Sequence, residues 1–265
     1  MKARLLSIAL AICMALSLTP VAYATEGDTT GGAGGTTGAT ETGVAKIGDR
    51  YYDTLVAAVQ AASEDGQTIE LLKDASGAGI GTFLGDLTDP VKDFTIDFGG
   101  HTYTCVGPAV GSSGTESQAF HLEWAGNDQE NAQVTLKNGT VTSAANSGVG
   151  MLVQNYCDLT LDGVTLDGAN IGAGGYALSN NCGNVTIKDS TIIAPQGGYA
   201  FDSCDYASYT GVTVTVEGNS SIQGAIEHTN PNGGDNNAQL IVKGGTFTEN
   251  TVGIDNGASK PLQSY

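Results

Sequence analysis

Basic residues are scarce in this sequence. Ten Lys and Arg stand against 28 Asp and Glu, a formal net charge of −18. Binding a phosphate backbone needs clustered Lys and Arg, and the chain has neither a cluster nor a stripe of them. Nucleic acid is therefore not expected as a partner, and anionic membrane surfaces are poor candidates. Cysteine is sparse as well, five in 265 residues, and no CxxC pair occurs. That argues against a zinc ribbon or a thioredoxin-like motif. So few thiols do not make a disulfide scaffold, and stability must come from a buried core that a chain of this length can build.

One long apolar run is present, at the start. Lys2 and Arg4 precede the run Leu5 to Val21, and Ala22-Tyr23-Ala24 follows with the small-x-small pattern of a signal-peptidase site. Residues 1–24 thus read as a signal peptide. No stop-transfer charges follow, so no membrane insertion is expected after cleavage. Leu10-Ala11-Ile12-Cys13 fails as a lipobox because Ile12 stands where a small residue is needed. The expected location is extracellular, free or at a cell surface. Residues 25–43 are nearly all Thr, Gly, Ala and Glu and read as a flexible linker.

Residues 44–74 hold a short strand at Val44–Ile47, a Gly48-Asp49 turn and an amphipathic helix. Asp53 or Thr54 is its N-cap, Leu55, Val59 and Ala62 form its apolar stripe, and Gly66 is its C′ residue. The strand Thr68–Leu72 comes next. One helix and one strand are too little for a domain, so the segment reads as a cap.

Residues 75–265 are a repeat. Phe94-Thr-Ile96-Asp, Val134-Thr-Leu136-Lys, Leu159-Thr-Leu161-Asp, Val185-Thr-Ile187-Lys, Val214-Thr-Val216-Glu and Leu240-Ile-Val242-Lys align, each followed by Gly or Asn and a second short strand. The period is about 26 residues, with one longer step between Ile96 and Leu136 that implies an inserted loop. A third segment recurs at Phe120, Leu152, Leu178, Phe201, Ile226 and Ile254. Three strands per fixed period suit stacked coils, because only a constant period keeps each strand in register with its equivalent one turn on. The expected fold is all-β, a right-handed parallel β-helix of about seven coils with a short N-terminal cap helix. The pattern stops partway through a coil, near Lys260-Pro261-Leu262, which reads as a truncated product or one module of a longer surface protein.

On these repeats and the Tyr51-to-Asp74 cap, residues 47–265 resemble the pectin-lyase-like β-helix superfamily, bacterial secreted and cell-surface members in particular. The resemblance implies a fold that hosts lyases, hydrolases, adhesins and stalks alike. Pectate lyases of that superfamily use an Arg base with acid-bound calcium, yet Arg50, ahead of the coils, is the one Arg that would survive cleavage. The Asn-Thr-Asp, Asp-Asp, Gly-His-Gly and Arg-x-Lys motifs of polygalacturonase-like enzymes are absent too.

Taking the third segment in register, the residues after its apolar positions are His121, Val153, Ser179, Asp202, Glu227 and Asp255, all facing outward. Asp202, Glu227 and Asp255 then form a three-rung carboxylate ladder. Such a ladder suits calcium, a sugar, or a glycosidase carboxyl pair, set against a merely solvated acidic face. Tyr176 and Tyr199 are equivalent residues in successive coils and offer aromatic contact to sugars. Asn155 over Asn181 is expected as a structural amide ladder. Cys157 and Cys182 fall at equivalent bends and either form a disulfide or remain free core thiols. The functional expectation is a non-catalytic, adhesin-like or carbohydrate-interacting module binding an extracellular glycan or host-surface component, without cofactor unless calcium binds. Its alternatives are a divergent polysaccharide hydrolase or lyase and a structural stalk.

Overall fold

The computed structural model describes residues 42–82, 93–111, 114–123, 132–181, 183–203, 212–228 and 238–248, and the backbone of 204, 229 and 252–255. The expected signal peptide and nearly all of the linker lie outside these residues.

A hairpin opens the fold. Ala45–Ile47 turns through Gly48 (φ 55°) into Arg50–Tyr52. Ala45–Ile47 also pairs antiparallel with Gln67–Leu71, covering the edge of the first parallel strand, which would otherwise present unpaired N–H and C=O groups. The helix Leu55–Ala61 follows, with Thr54 as N-cap: its hydroxyl accepts the Ala57 N–H at 3.0 Å. Leu55, Ala58 and Val59 are the buried stripe. Ala62 closes the helix, and Gly66 (φ 72°) is instead the turn before Gln67–Leu71, not the C′ residue. Ala62 itself is extended (φ −67°, ψ 104°), so the helix ends without a left-handed cap.

Beyond the cap, strands stack in parallel into a β-solenoid of about six turns. Seven rungs are present on the first face, from Gln67–Leu71 to Gln239–Val242, and seven rungs enclose six full turns, which accounts for the expected seven coils. The second face runs from Ala75–Gly77 through Thr102–Cys105 to Thr246–Phe247, and the third from Ile80–Thr82 to Val252–Asp255. Ile69, Ile96, Leu136, Leu161, Ile187 and Val216 form one continuous inward column, fully buried. Phe98 and Tyr103 pack edge-to-face on Phe120, at 6.4 and 5.9 Å between centroids, a favoured aromatic geometry.

Outside that column Thr68, Thr95, Thr135, Thr160, Thr186 and Thr215 stack as a hydroxyl column. Next to it the charges alternate between coils. Lys46 meets Glu70 at 3.1 Å, Lys137 meets Asp97 at 3.2 Å, Lys188 meets Asp162 at 3.1 Å and Lys243 meets Glu217 at 3.8 Å. Each solvated pair is worth little by itself, but together they commit these lysines to neighbouring acids.

The bend between first and second faces is left-handed in four successive coils: Asn138 (φ 56°), Gly163 (67°), Asp189 (48°) and Gly218 (64°). Gly, Asn and Asp are the residues that enter this region at low cost, which is why they recur there. Other acids tie coil to coil. Asp65 accepts the Asp93 N–H at 2.8 Å, Asp93 that of Gln133 at 2.7 Å, Asp158 that of Asn184 at 2.7 Å and Asp189 that of Asn219 at 2.8 Å. Part of the acidity is therefore structural. No helix among the described residues is long and apolar enough to cross a membrane.

Candidate functional site

Most of the buried polar side chains lie on the third face, among them His121, Asn155, Ser179, Asn180, Asp202 and Ser203. In most of its strands two consecutive residues are buried: Ala119-Phe120, Leu152-Val153, Ala177-Leu178 and Ala200-Phe201. Strict in–out alternation fails at each pair. The residue before it, Tyr176 or Tyr199, then emerges on the same side as the residue after it, Ser179 or Asp202.

The register sets the outward column as Gly81, His121, Gln154, Ser179, Asp202, Glu227 and Gly253. Two corrections follow. Val153 rather than Leu152 opposes Phe120 and Leu178, which brings Gln154 into the place expected for Val153. Val252 rather than Ile254 opposes Ile226, so Gly253 stands beside Glu227, and Asp255 pairs with Thr229 two residues on. The expected three-rung carboxylate ladder is a pair, Asp202 and Glu227. Among the described residues no group of three or more His, Cys, Asp or Glu is arranged to hold a metal ion.

Around that pair the geometry is well defined. The Tyr176 phenol donates to Glu227 Oε2 at 2.6 Å. To get there it passes Tyr199, on which it stacks at 5.1 Å between centroids and 15° between planes. This is the coil-to-coil alignment expected from the sequence. Burial first, and the Glu227 carboxyl second, push the Tyr176 phenol above its ordinary range. Asp202 is only 8 % exposed although it lies on the outward column. Its Oδ1 accepts the Asn180 N–H at 2.7 Å and its Oδ2 the Ser179 hydroxyl at 3.3 Å. Burial outweighs these bonds and pushes its pKa up to about 7. Further back, His121 is 1 % exposed and held through both ring nitrogens, 3.0 Å from Gln154 Oε1 and 2.8 Å from Glu123 Oε1. His121 stands in the column where the sequence placed it, whereas Gln154 was missed because the shift in register needed the backbone.

One residue further along, the side chains turn inward. Asn155 donates through Nδ2 to Asn180 Oδ1 at 2.9 Å, and both are fully buried. The amide ladder is therefore Asn155–Asn180, not Asn155–Asn181. Asn181 lies one position past it, with Nδ2 donating to the Tyr156 hydroxyl at 3.2 Å. The column continues as Ser203 and His228, whose Oγ and Nδ1 have no hydrogen-bond partner among the described residues. Burial holds the His228 imidazole below its ordinary range. Cys157 is buried with Sγ 3.1 Å from the Glu123 carbonyl oxygen, and Cys182 lies outside the described residues.

No family model matches the chain, and no curated protein or solved structure is detectably similar to it.

Proposed function

We propose that the protein is an exported, non-catalytic β-helix module of the pectin-lyase-like kind that binds a neutral extracellular glycan on its third face. The carrying observation is the Tyr176–Glu227 hydrogen bond beside the stacked Tyr199. It fixes a half-buried carboxylate, a strong acceptor for sugar hydroxyls, next to aromatic surface that can take the C–H face of a ring. Lys137, Lys188 and Lys243 are each spent on an acid of the preceding coil, which favours a neutral ligand over a uronate.

A second reading, hydrolysis, draws on Asp202. A carboxyl raised to about 7 next to another carboxyl is the split that acid–base chemistry on sugars requires. Against it, Asp202 is nearly buried and both of its oxygens already accept hydrogen bonds. Glycan-array binding of the chain, with reducing-sugar release assayed in parallel, separates the two. The expected result is binding of a neutral glycan without release, weakened about tenfold by Glu227→Gln. Failure to bind any glycan defeats the proposal, and sugar release lost in Asp202→Asn favours hydrolysis.

A further inference from the structure

A cavity of about 380 Å³ lies where the cap helix faces the start of the third sheet face. It falls within the roughly 300–1,000 Å³ range of small-ligand sites, near its lower end, where one ring fits and a chain does not. Val56, Val59, Ile80 and Val110 give it an apolar side, and Glu116 and His121 a polar one. The polar groups are held in place before any ligand arrives. Both Glu116 oxygens lie 3.0 Å from the Gly114 N–H that they accept, and His121 is clamped by Gln154 and Glu123. Such pre-organisation lowers the entropic cost of binding.

Gly81 is what leaves the space. It occupies the rung beside His121, and a Cβ added there would meet nothing nearer than Val110 Cβ at 3.9 Å. Gly79 and Gly111 are different, since a Cβ on either would run into neighbouring atoms. The absence of a side chain at position 81 is thus not demanded by local packing, while it keeps the cavity open.

We infer that this cavity is a binding site for a single neutral sugar ring, taken with its C–H face on the valine side and its hydroxyls on Glu116. Its described lining residues include no Lys or Arg, and the Glu116 carboxylate repels an anion, so a uronic acid is disfavoured. This inference rests on the glycan-binding reading and adds a second subsite to it. His121 and Glu227 are four rungs apart on one column, about 19 Å at the strand spacing of a sheet. A glycan laid along the solenoid axis would meet both places.

The test is calorimetric titration of the full chain with neutral methyl hexosides and the matching methyl uronates, in wild type, Gly81→Val and Glu227→Gln. The expected result is hexoside binding by the wild type, weaker uronate binding, and a loss of about tenfold or more in Gly81→Val. A wild type that binds no hexoside, or a Gly81→Val chain that binds as well as wild type, overturns the inference. If Gly81→Val lowers the melting temperature, Glu116→Gln on its exposed turn is read instead, and unchanged hexoside affinity there is equally fatal. Oligosaccharide binding that responds to Glu227→Gln but not to Gly81→Val removes the cavity and leaves the third-face proposal standing.

Discussion

Asp202 accepts the backbone N–H of Asn180, one coil back, at 2.7 Å, while sitting on an outward column from which solvent is nearly excluded. The carboxyl is thereby both anchored and raised, from 3.8 to about 7. A group whose folded pKa lies above its unfolded value binds more protons when folded. Its contribution to stability is therefore greatest below the unfolded pKa, declines as pH rises through about 4 to 7, and stays low above that.

Asp202→Asn keeps the acceptor for Asn180 and removes the ionisation. The variant should melt at a higher temperature than wild type at pH 8 and at nearly the same temperature at pH 4.5. At about 1.4 kcal/mol per pKa unit, the gain at high pH is a few kcal/mol at most. Thermal denaturation of both proteins from pH 4.5 to 8.5 checks this, and a difference independent of pH would show that Asp202 is not the titrating group. Asp97 works the other way. The Gly99 N–H, Asn138 and Lys137 hold it below the ordinary range despite its burial, so its contribution is lost as pH falls.

The amide ladder separates neighbouring asparagines. Asn155 donates to Asn180 and to the Cys157 carbonyl, and accepts the Cys157 N–H. Asn155→Ala should cost about 2–3 kcal/mol, because buried partners are left unsatisfied. Asn181→Ala, which loses a half-buried bond to Tyr156, should cost under about 1 kcal/mol. Urea midpoints of the two variants measure the contrast, and equal losses would argue against the Asn155–Asn180 register.

Gly163 tests the left-handed bend. A Cβ there makes only an ordinary contact with Asn138, at 3.6 Å, so Gly163→Ala should lose about 1–2 kcal/mol from backbone conformation alone. Gly163→Asn should lose less, since Asn already serves at position 138. Gly218→Ala should lose more, because its Cβ would collide with the Asp189 carboxylate. Denaturation midpoints that rank Asn with or below Ala would contradict the conformational explanation.

Much of this was readable before any coordinates. Leu136, Leu161, Ile187 and Val216 did fall in one column, and Tyr176 did stack on Tyr199. Both depend on equal spacing along the chain, which a sequence displays directly. The displaced residues, Asn181 for Asn180 and Asp255 for Gly253, share one cause. Each third-face strand follows a bend of variable length, and pairs such as Leu152-Val153 are buried together. Either member of a pair satisfies an apolar pattern, so the pattern leaves the register uncertain by a residue or two, and a slip of one moves a side chain to the other face.

The architecture is written along the chain. A constant period with apolar residues inward and Gly, Asn or Asp at the bends is satisfied by stacked coils, and those constraints are local enough to be written along the chain. Tertiary structure alone decided which polar groups meet. The Tyr176–Glu227 bond spans 51 residues and two coils, the burial that raises Asp202 comes from packing on an outward face, and the cavity at Gly81 forms where the cap helix meets the third face. Each depends on distances between segments remote in sequence, and no spacing rule encodes those.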